Sequence, residues 1–255
     1  MPGELRGLLL DFDGTVAETE RFGHRVAYNR AFAELGLGWT WDESLYGKLL
    51  RVAGGKERLR FYIEHHQPQL LDDALTSSLV PRIHEAKIRH FAQLAPIIAL
   101  RHGVLRLLRE ASNAGIRIVI ATTAAKPGVE ALLAQEPALP GMVTLIAASD
   151  AVERKKPAPD VYLWALERLR LSADECVAIE DSEIGLRAAL GAGLATVVTV
   201  SDYTAREDFT GARTVLTDLG DPDVPARSLR GPTPDRGIVN LDFLRTILAS
   251  GGEGL

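Results

Sequence analysis

Six short segments of the chain are apolar at nearly every position: Leu8–Phe12, Ile116–Thr122, Val143–Ala147, Cys176–Glu180, Ala195–Val200 and Thr214–Leu216. A strand with one wet face alternates polar and apolar residues, whereas a strand covered on both faces does not. Runs of this length therefore fit the buried strands of a parallel sheet. Helical patterns over Gly103–Ala114, Pro159–Leu169 and Ser182–Ala192 separate several of them. Parallel neighbours need crossover connections, so this strand–helix alternation predicts a doubly wound α/β layer.

One interval breaks the alternation. Between Phe12 and Ile116 no segment reads as a strand, and Thr19–Leu35, Lys56–His65 and Ser78–Leu94 read instead as amphipathic helices. Residues 17–98 hold 11 of the 29 Lys and Arg but only 10 of the 34 Asp and Glu, so the acidic excess lies outside them. A chain of 255 residues suits one core with a sizeable insertion. The expected organisation is a core of residues 1–16 and 99–255, with a helical cap of residues 17–98 inserted after the first strand. The stretch Gly220–Gly237, rich in Pro, Gly, Asp and Arg, is expected to be loop. Asn240 is placed to cap a last helix reaching Ala249, and residues 250–255 are expected to fray.

Composition narrows the functional classes. With 46% hydrophobic and 25% charged residues and a net charge of −5, the chain is an ordinary globular protein. It is neither mostly disordered nor basic enough over its surface for non-specific nucleic-acid binding. No run approaches the ~18–20 apolar residues of a membrane span. The first residues lack the pattern of a secretory signal, which leads to an expected cytoplasmic location, or a plastid stroma if a transit peptide has been removed. The single cysteine, Cys176, opens a buried strand and is read as packing.

The residues that carry chemistry stand at strand ends. The first strand runs into Asp11-Phe12-Asp13-Gly14-Thr15. Residues i and i+2 of a strand share a side, so Asp11 and Asp13 leave the sheet together at its carboxyl edge, where open α/β sheets bind ligands. Two carboxylates this close repel, and a divalent cation with a taste for hard oxygen ligands, such as Mg²⁺, removes the conflict. The second strand ends in Thr122, whose hydroxyl can hold a phosphoryl oxygen. The run Arg154-Lys155-Lys156-Pro157 precedes a helix, and an ammonium fixed there neutralises phosphate charge. A later strand ends in Glu180-Asp181-Ser182. Ser182 can cap the following helix, but carboxylates beside an apolar strand are costly unless paired or bound to metal.

These four signals, in this order, resemble the haloacid dehalogenase-like hydrolases over nearly the whole chain, and the interrupting helices resemble the cap of their β-phosphoglucomutase-like branch. The resemblance implies a Rossmann-like core and an expected monomer. It implies Asp11 as nucleophile, Asp13 as the acid and base acting on leaving group and water, and Thr122 and Lys156 around the phosphoryl group. Mg²⁺ would be held by Asp11, Asp13 through its backbone carbonyl, Asp181 and Glu180.

The cap sequence Tyr46-Gly47-Lys48-Leu49-Leu50-Arg51, followed by Gly54-Gly55-Lys56-Glu57-Arg58, is similar to that of CbbY-type phosphatases, which act on xylulose 1,5-bisphosphate. Such a phosphosugar has a second, non-reacting phosphate. Gly54, Gly55 and Lys56 at a helix start make an anion site for it, with Arg51 and Arg58 as clamps, Glu18 for sugar hydroxyls, and Tyr46 and Thr123 as further contacts. Ala124-Ala125 stand where this family usually has hydroxyl residues, and His102 where it has proline. Three alternatives stay open: a β-phosphoglucomutase-like mutase, a phosphoglycolate phosphatase, and a non-catalytic phosphate-binding scaffold. The mutase pattern includes a cap-hinge histidine, and His24 sits one residue later than that pattern places it.

Overall fold

The computed structural model describes residues 4–70, 73–148 and 150–250, apart from the side chains of residues 73–76. The expected frayed tail lies, beyond residue 250, outside the described residues. Seven strands form one sheet: β1 (Gly7–Leu10), β2 (Arg117–Ala121), β3 (Val143–Ala147), β4 (Cys176–Glu180), β5 (Ala195–Thr199), β6 (Thr214–Leu216) and β7 (Ser228–Arg230). Their spatial order is β3-β2-β1-β4-β5-β6-β7, parallel throughout except for β7 against β6. Strand β1 lies inside the sheet between β2 and β4, and the order reverses beside it, which makes its carboxyl end the switch point at which such sheets bind ligands.

Leu8 and Leu10 face one layer, packing with Val104, Leu107 and Leu244 from α5 (Val104–Asn113) and α10 (Leu241–Ala249). Leu9 faces the other, with Val161, Tyr162 and Ala189 from α8 (Asp160–Leu169) and α9 (Glu183–Gly191). Burial on both faces is why these strands read as unbroken apolar runs. Ser182 accepts a hydrogen bond from the Gly185 N–H and Asn240 from that of Phe243, so both expected caps are formed.

Between β1 and β2 the chain makes the helical cap: α1 (Arg25–Glu34), α2 (Glu43–Leu49), α3 (Gly55–His66) and α4 (Asp73–Leu94). Tyr28, Phe32, Trp41, Tyr46, Tyr62 and Ile83 close into an aromatic core separate from those of the sheet. The far end of α4 leaves that core, and its Phe91 and Leu94 join the apolar cluster that also holds Leu8 and Leu10. Two further helices, α6 (Lys126–Leu133) and α7 (Leu139–Met142), lie between β2 and β3.

Some elements differ from expectation. Part of the expected loop at 220–237 is strand β7, a three-residue edge strand too short to show periodicity. Helix α4 begins five residues ahead of Ser78 and carries Pro81 inside it. Residues Glu20–His24 form a π turn that leads into α1, and a π turn takes one more residue per hydrogen-bonded ring than an α turn. Among the described residues no helix is long and apolar enough to cross a membrane.

Candidate active site

Lys156 organises the carboxyl edge of the sheet. Its ammonium donates to Asp11 Oδ1 at 2.6 Å, to Glu180 Oε1 at 2.7 Å and to the Ala121 carbonyl at 2.8 Å. These acceptors end β1, β4 and β2, so one side chain with three donors ties three strands together. Tyr162, from the first turn of α8, donates to the same Glu180 oxygen. The other oxygen, Glu180 Oε2, is buried with no partner.

Asp11, Glu180 and Asp181 form an acidic cluster, one oxygen from each lying within 4.8 Å of the others. Burial pushes Asp11 up; Lys156 pulls it down, Glu180 and Asp13 add to the rise, and the balance is about 8. Burial, then Asp11 and Glu180, hold Asp181 well above the carboxylate range. Three buried oxygen donors, one of them orphaned, fit a hard divalent cation. Two glycines make the close packing possible. A Cβ on Gly14, whose φ is +82°, would run into the Asp181 carboxylate, and one on Gly185 into that of Glu180.

The Asp13 carboxylate is not part of this cluster. It accepts from Thr19 Oγ1 at 2.6 Å and pairs with His24 Nε2 at 2.9 Å. Burial opposes its charge, but His24 and Thr19 outweigh burial and bring its pKa to about 2. His24 closes the π turn, its ring meeting Asp13 and stacking on Phe91.

Two cavities open above the sheet edge. The smaller, about 80 Å³, is lined by Asp11, Lys156, Asp181 and Ser201. The larger, about 340 Å³, is lined from the cap by Gly54, Gly55, Lys56, His84 and Lys87 and from the core by Ala124, Ala125 and Lys155. Asp13, Glu20, Arg58 and Thr123 border both, so the two compartments share a wall.

Not every expected residue reaches these cavities. Arg51 is exposed and lines neither. Glu18 lines neither; one of its oxygens is 2.9 Å from Arg101 Nε. Tyr46 is buried behind the wall, donating its hydroxyl to Glu20 and facing Arg58 Nη1 at 3.4 Å, so it orients two lining residues without lining the cavity. Thr122 lies under the floor, its hydroxyl accepting the Ala124 N–H, while Thr123 faces both compartments.

Other residues escaped the sequence reading. Glu20, His84 and Lys87 line the cleft, and Arg101 donates to the carbonyls of Gly14, Thr199, Val200 and Thr217, fastening the turn after β1 to the ends of β5 and β6. The spacing of His84 and Lys87, i and i+3 on one helix, was the available signal, but only the fold shows which face of α4 looks into the cleft.

A haloacid dehalogenase-like hydrolase family model matches residues 5–193. Protein CbbY encoded on a plasmid of Cupriavidus necator is 45% identical over 225 residues, covering 87% of this chain and 88% of that one. A crystal structure of CbbY from Rhodobacter sphaeroides in complex with phosphate is 42% identical, with a TM-score of 0.77 over 84% of this chain and 94% of that one. A mutant of that protein in complex with xylulose 1,5-bisphosphate has a TM-score of 0.78 and 41% identity over 86% of this chain and 96% of that one. A family model matched over residues 5–193 and a relative 45% identical along most of both chains agree with the sheet and its switch point: the chain belongs to the haloacid dehalogenase-like hydrolases.

Proposed function

We propose that the protein is a Mg²⁺-dependent phosphatase that hydrolyses a sugar bisphosphate, with xylulose 1,5-bisphosphate as the substrate that fits best, and that residues 17–98 act as its cap over a core of 1–16 and 99–255. The observation that carries this reading is the pair of compartments. The smaller holds Asp11, Asp181 and Lys156, the larger sets Lys56, Arg58 and Lys87 from the cap opposite Lys155 from the core, with Glu20, Glu57 and Asp150 also on its wall, and a molecule with phosphates at both ends would fill the two together.

In this reading Asp11 attacks phosphorus as the bond to the sugar oxygen breaks, and Asp13 gives that oxygen its proton. Asp13 then takes a proton from the water that attacks the aspartyl-phosphate, releasing phosphate and restoring Asp11. Held ionised by His24 and Thr19, Asp13 is ready for the second role. A bound phosphate, offsetting His24 and Lys87, favours the protonated form that the first role needs. Lys156 and Thr123 steady the phosphoryl oxygens, and Thr122 supports them from beneath through the Ala124 N–H. Asp11, Glu180, Asp181 and the Asp13 backbone would hold Mg²⁺, which when bound neutralises charge on the phosphoryl group.

The test is Lys56→Ala. A charged hydrogen bond is worth ~1.5–3 kcal/mol, so kcat/KM on the bisphosphate should fall ~10–150-fold, against little change on p-nitrophenyl phosphate. Equal losses on both substrates would remove the distal-phosphate assignment. The His24–Asp13 pair favours one second reading, a phosphosugar mutase. Phosphate release from a sugar monophosphate, as against its conversion to an isomer, separates the two.

The acid cluster also predicts a pH effect on stability. A carboxyl whose pKa is raised on folding binds its proton more tightly in the folded state, so stability falls as pH rises from its unfolded value to its folded one. For Asp11 that window opens at the ordinary carboxylate value and closes near 8, with burial as its main cause. Chelated protein should therefore melt lower at pH 8 than at pH 7, and added Mg²⁺ should raise the melting temperature more at pH 8. A Mg²⁺ effect equal at both pH values would argue against a cation at this cluster.

A further inference from the structure

We propose that His84 is a contact for the non-reacting phosphate and makes the grip on that phosphate depend on pH. The inference rests on the bisphosphate reading and adds to it a residue that tightens binding as pH falls.

His84 lies on α4 against the first turn of α3. A Cβ built on Gly55 would sit 2.9 Å from its Nε2, so the imidazole covers the start of the helix where the distal phosphate is expected. It lines the larger cavity together with Lys56 and Lys87. The charged and titratable groups around it come from each neighbouring element: Lys87 from its own helix, Lys56, Glu57 and Arg58 from α3, Tyr28 from α1, Glu20 and His24 from the π turn, and Asp13 from the turn after β1. Lys155 and Asp150 face it from the core side of the cavity.

Partial burial, then Lys87, Lys56 and His24, push His84 down to about 4, so without ligand it is neutral at physiological pH. A phosphate dianion between Lys56 and Lys87 reverses the local charge. The imidazole then gains from taking a proton and becomes a third cationic donor. Binding and proton uptake are linked, so a ligand that favours protonated His84 binds better as pH falls toward the pKa of the bound state. Small phosphates that occupy only the compartment of Asp11 and Asp181 do not draw on this linkage.

The experiment compares His84→Gln, which retains a donor but cannot titrate, with the native chain. The readout is the ratio of kcat/KM for xylulose 1,5-bisphosphate to kcat/KM for p-nitrophenyl phosphate between pH 6.5 and pH 8, which cancels titration of the shared chemistry. In the native protein the ratio should climb as pH falls. In His84→Gln it should lose that climb and stand about tenfold lower at pH 6.5, the scale of one charged hydrogen bond. As a check that needs no His84 variant, Asp11→Asn protein should show one more protonated histidine by NMR when the bisphosphate is added at pH 6.5. The same pH profile in both proteins, or no added imidazolium, overturns the role of His84 and leaves the distal site standing. A native ratio that neither varies with pH nor drops in Lys56→Ala overturns the bisphosphate reading, and the proposal with it.

Discussion

Asp11→Asn protein is expected to have no measurable turnover, a loss of about 10⁴–10⁶-fold, while keeping its fold and its affinity for phosphosugar. The amide is nearly isosteric with the carboxylate but is a far poorer nucleophile, so no aspartyl-phosphate forms. Three further consequences distinguish this from general damage. Brief incubation with radiolabelled substrate followed by acid quench should label the native chain and not the variant. The variant loses the charge that Lys156 pairs at Asp11 but keeps Glu180 as its partner, and it sheds a carboxylate that burial makes costly to ionise, so at pH 8 in chelator it should melt within a few degrees of the native protein. Bisphosphate should still raise its melting temperature, since Lys56, Arg58 and Thr123 are intact. Turnover by Asp11→Asn within tenfold of native would remove Asp11 as nucleophile and the two-step mechanism with it.

Much of this site was legible because it depends on strands. Three of the six apolar runs, Val143–Ala147, Cys176–Glu180 and Thr214–Leu216, match strands to the residue; the last two are buried at every position, which leaves an unbroken apolar pattern, while the first is a partly buried edge strand. Parallel strands share a carboxyl edge, so Asp11, Thr122 and Glu180-Asp181, each just past a strand, had to converge there. The cap was less readable. Its side chains reach the cleft from helix faces, and the π turn at Glu20–His24 shifts register in a way no α-helical periodicity reports. Tyr46 and Arg51 belong to the stretch whose sequence resembles a CbbY-type cap. In space Tyr46 turns into the aromatic core and Arg51 into solvent, while α4, distant in sequence, supplies His84 and Lys87. Arg101, the link between the turn after β1 and the ends of β5 and β6, binds mainly backbone carbonyls, for which a sequence has no signature.

Lys156→Met is expected to damage the fold as well as the chemistry, and the split between the two tests how the acid cluster is held. Burial would lower the ammonium's pKa, but Asp11 and Glu180 outweigh burial and hold it above the ordinary lysine range, so it is charged at every physiological pH. Removing one partner of a buried ion pair leaves the other uncompensated, at ~3–5 kcal/mol. Here Asp11 and Glu180 both lose their cation, and the Ala121 carbonyl loses its donor. At the ~2–4 °C per kcal/mol usual for chains near this length, the metal-free variant should melt roughly 6–20 °C below the native protein at pH 8. The deficit should narrow at pH 5, where the freed carboxylates can take up protons, and narrow at pH 8 when Mg²⁺ is supplied, because a divalent cation meets the same charge requirement. Activity should not recover with stability, since phosphoryl oxygens in flight still lack the ammonium. If Mg²⁺ left the melting deficit unchanged at pH 8, Lys156 and the cation would not be sharing one cluster of carboxylates, and the metal would have to be sought elsewhere in the cleft.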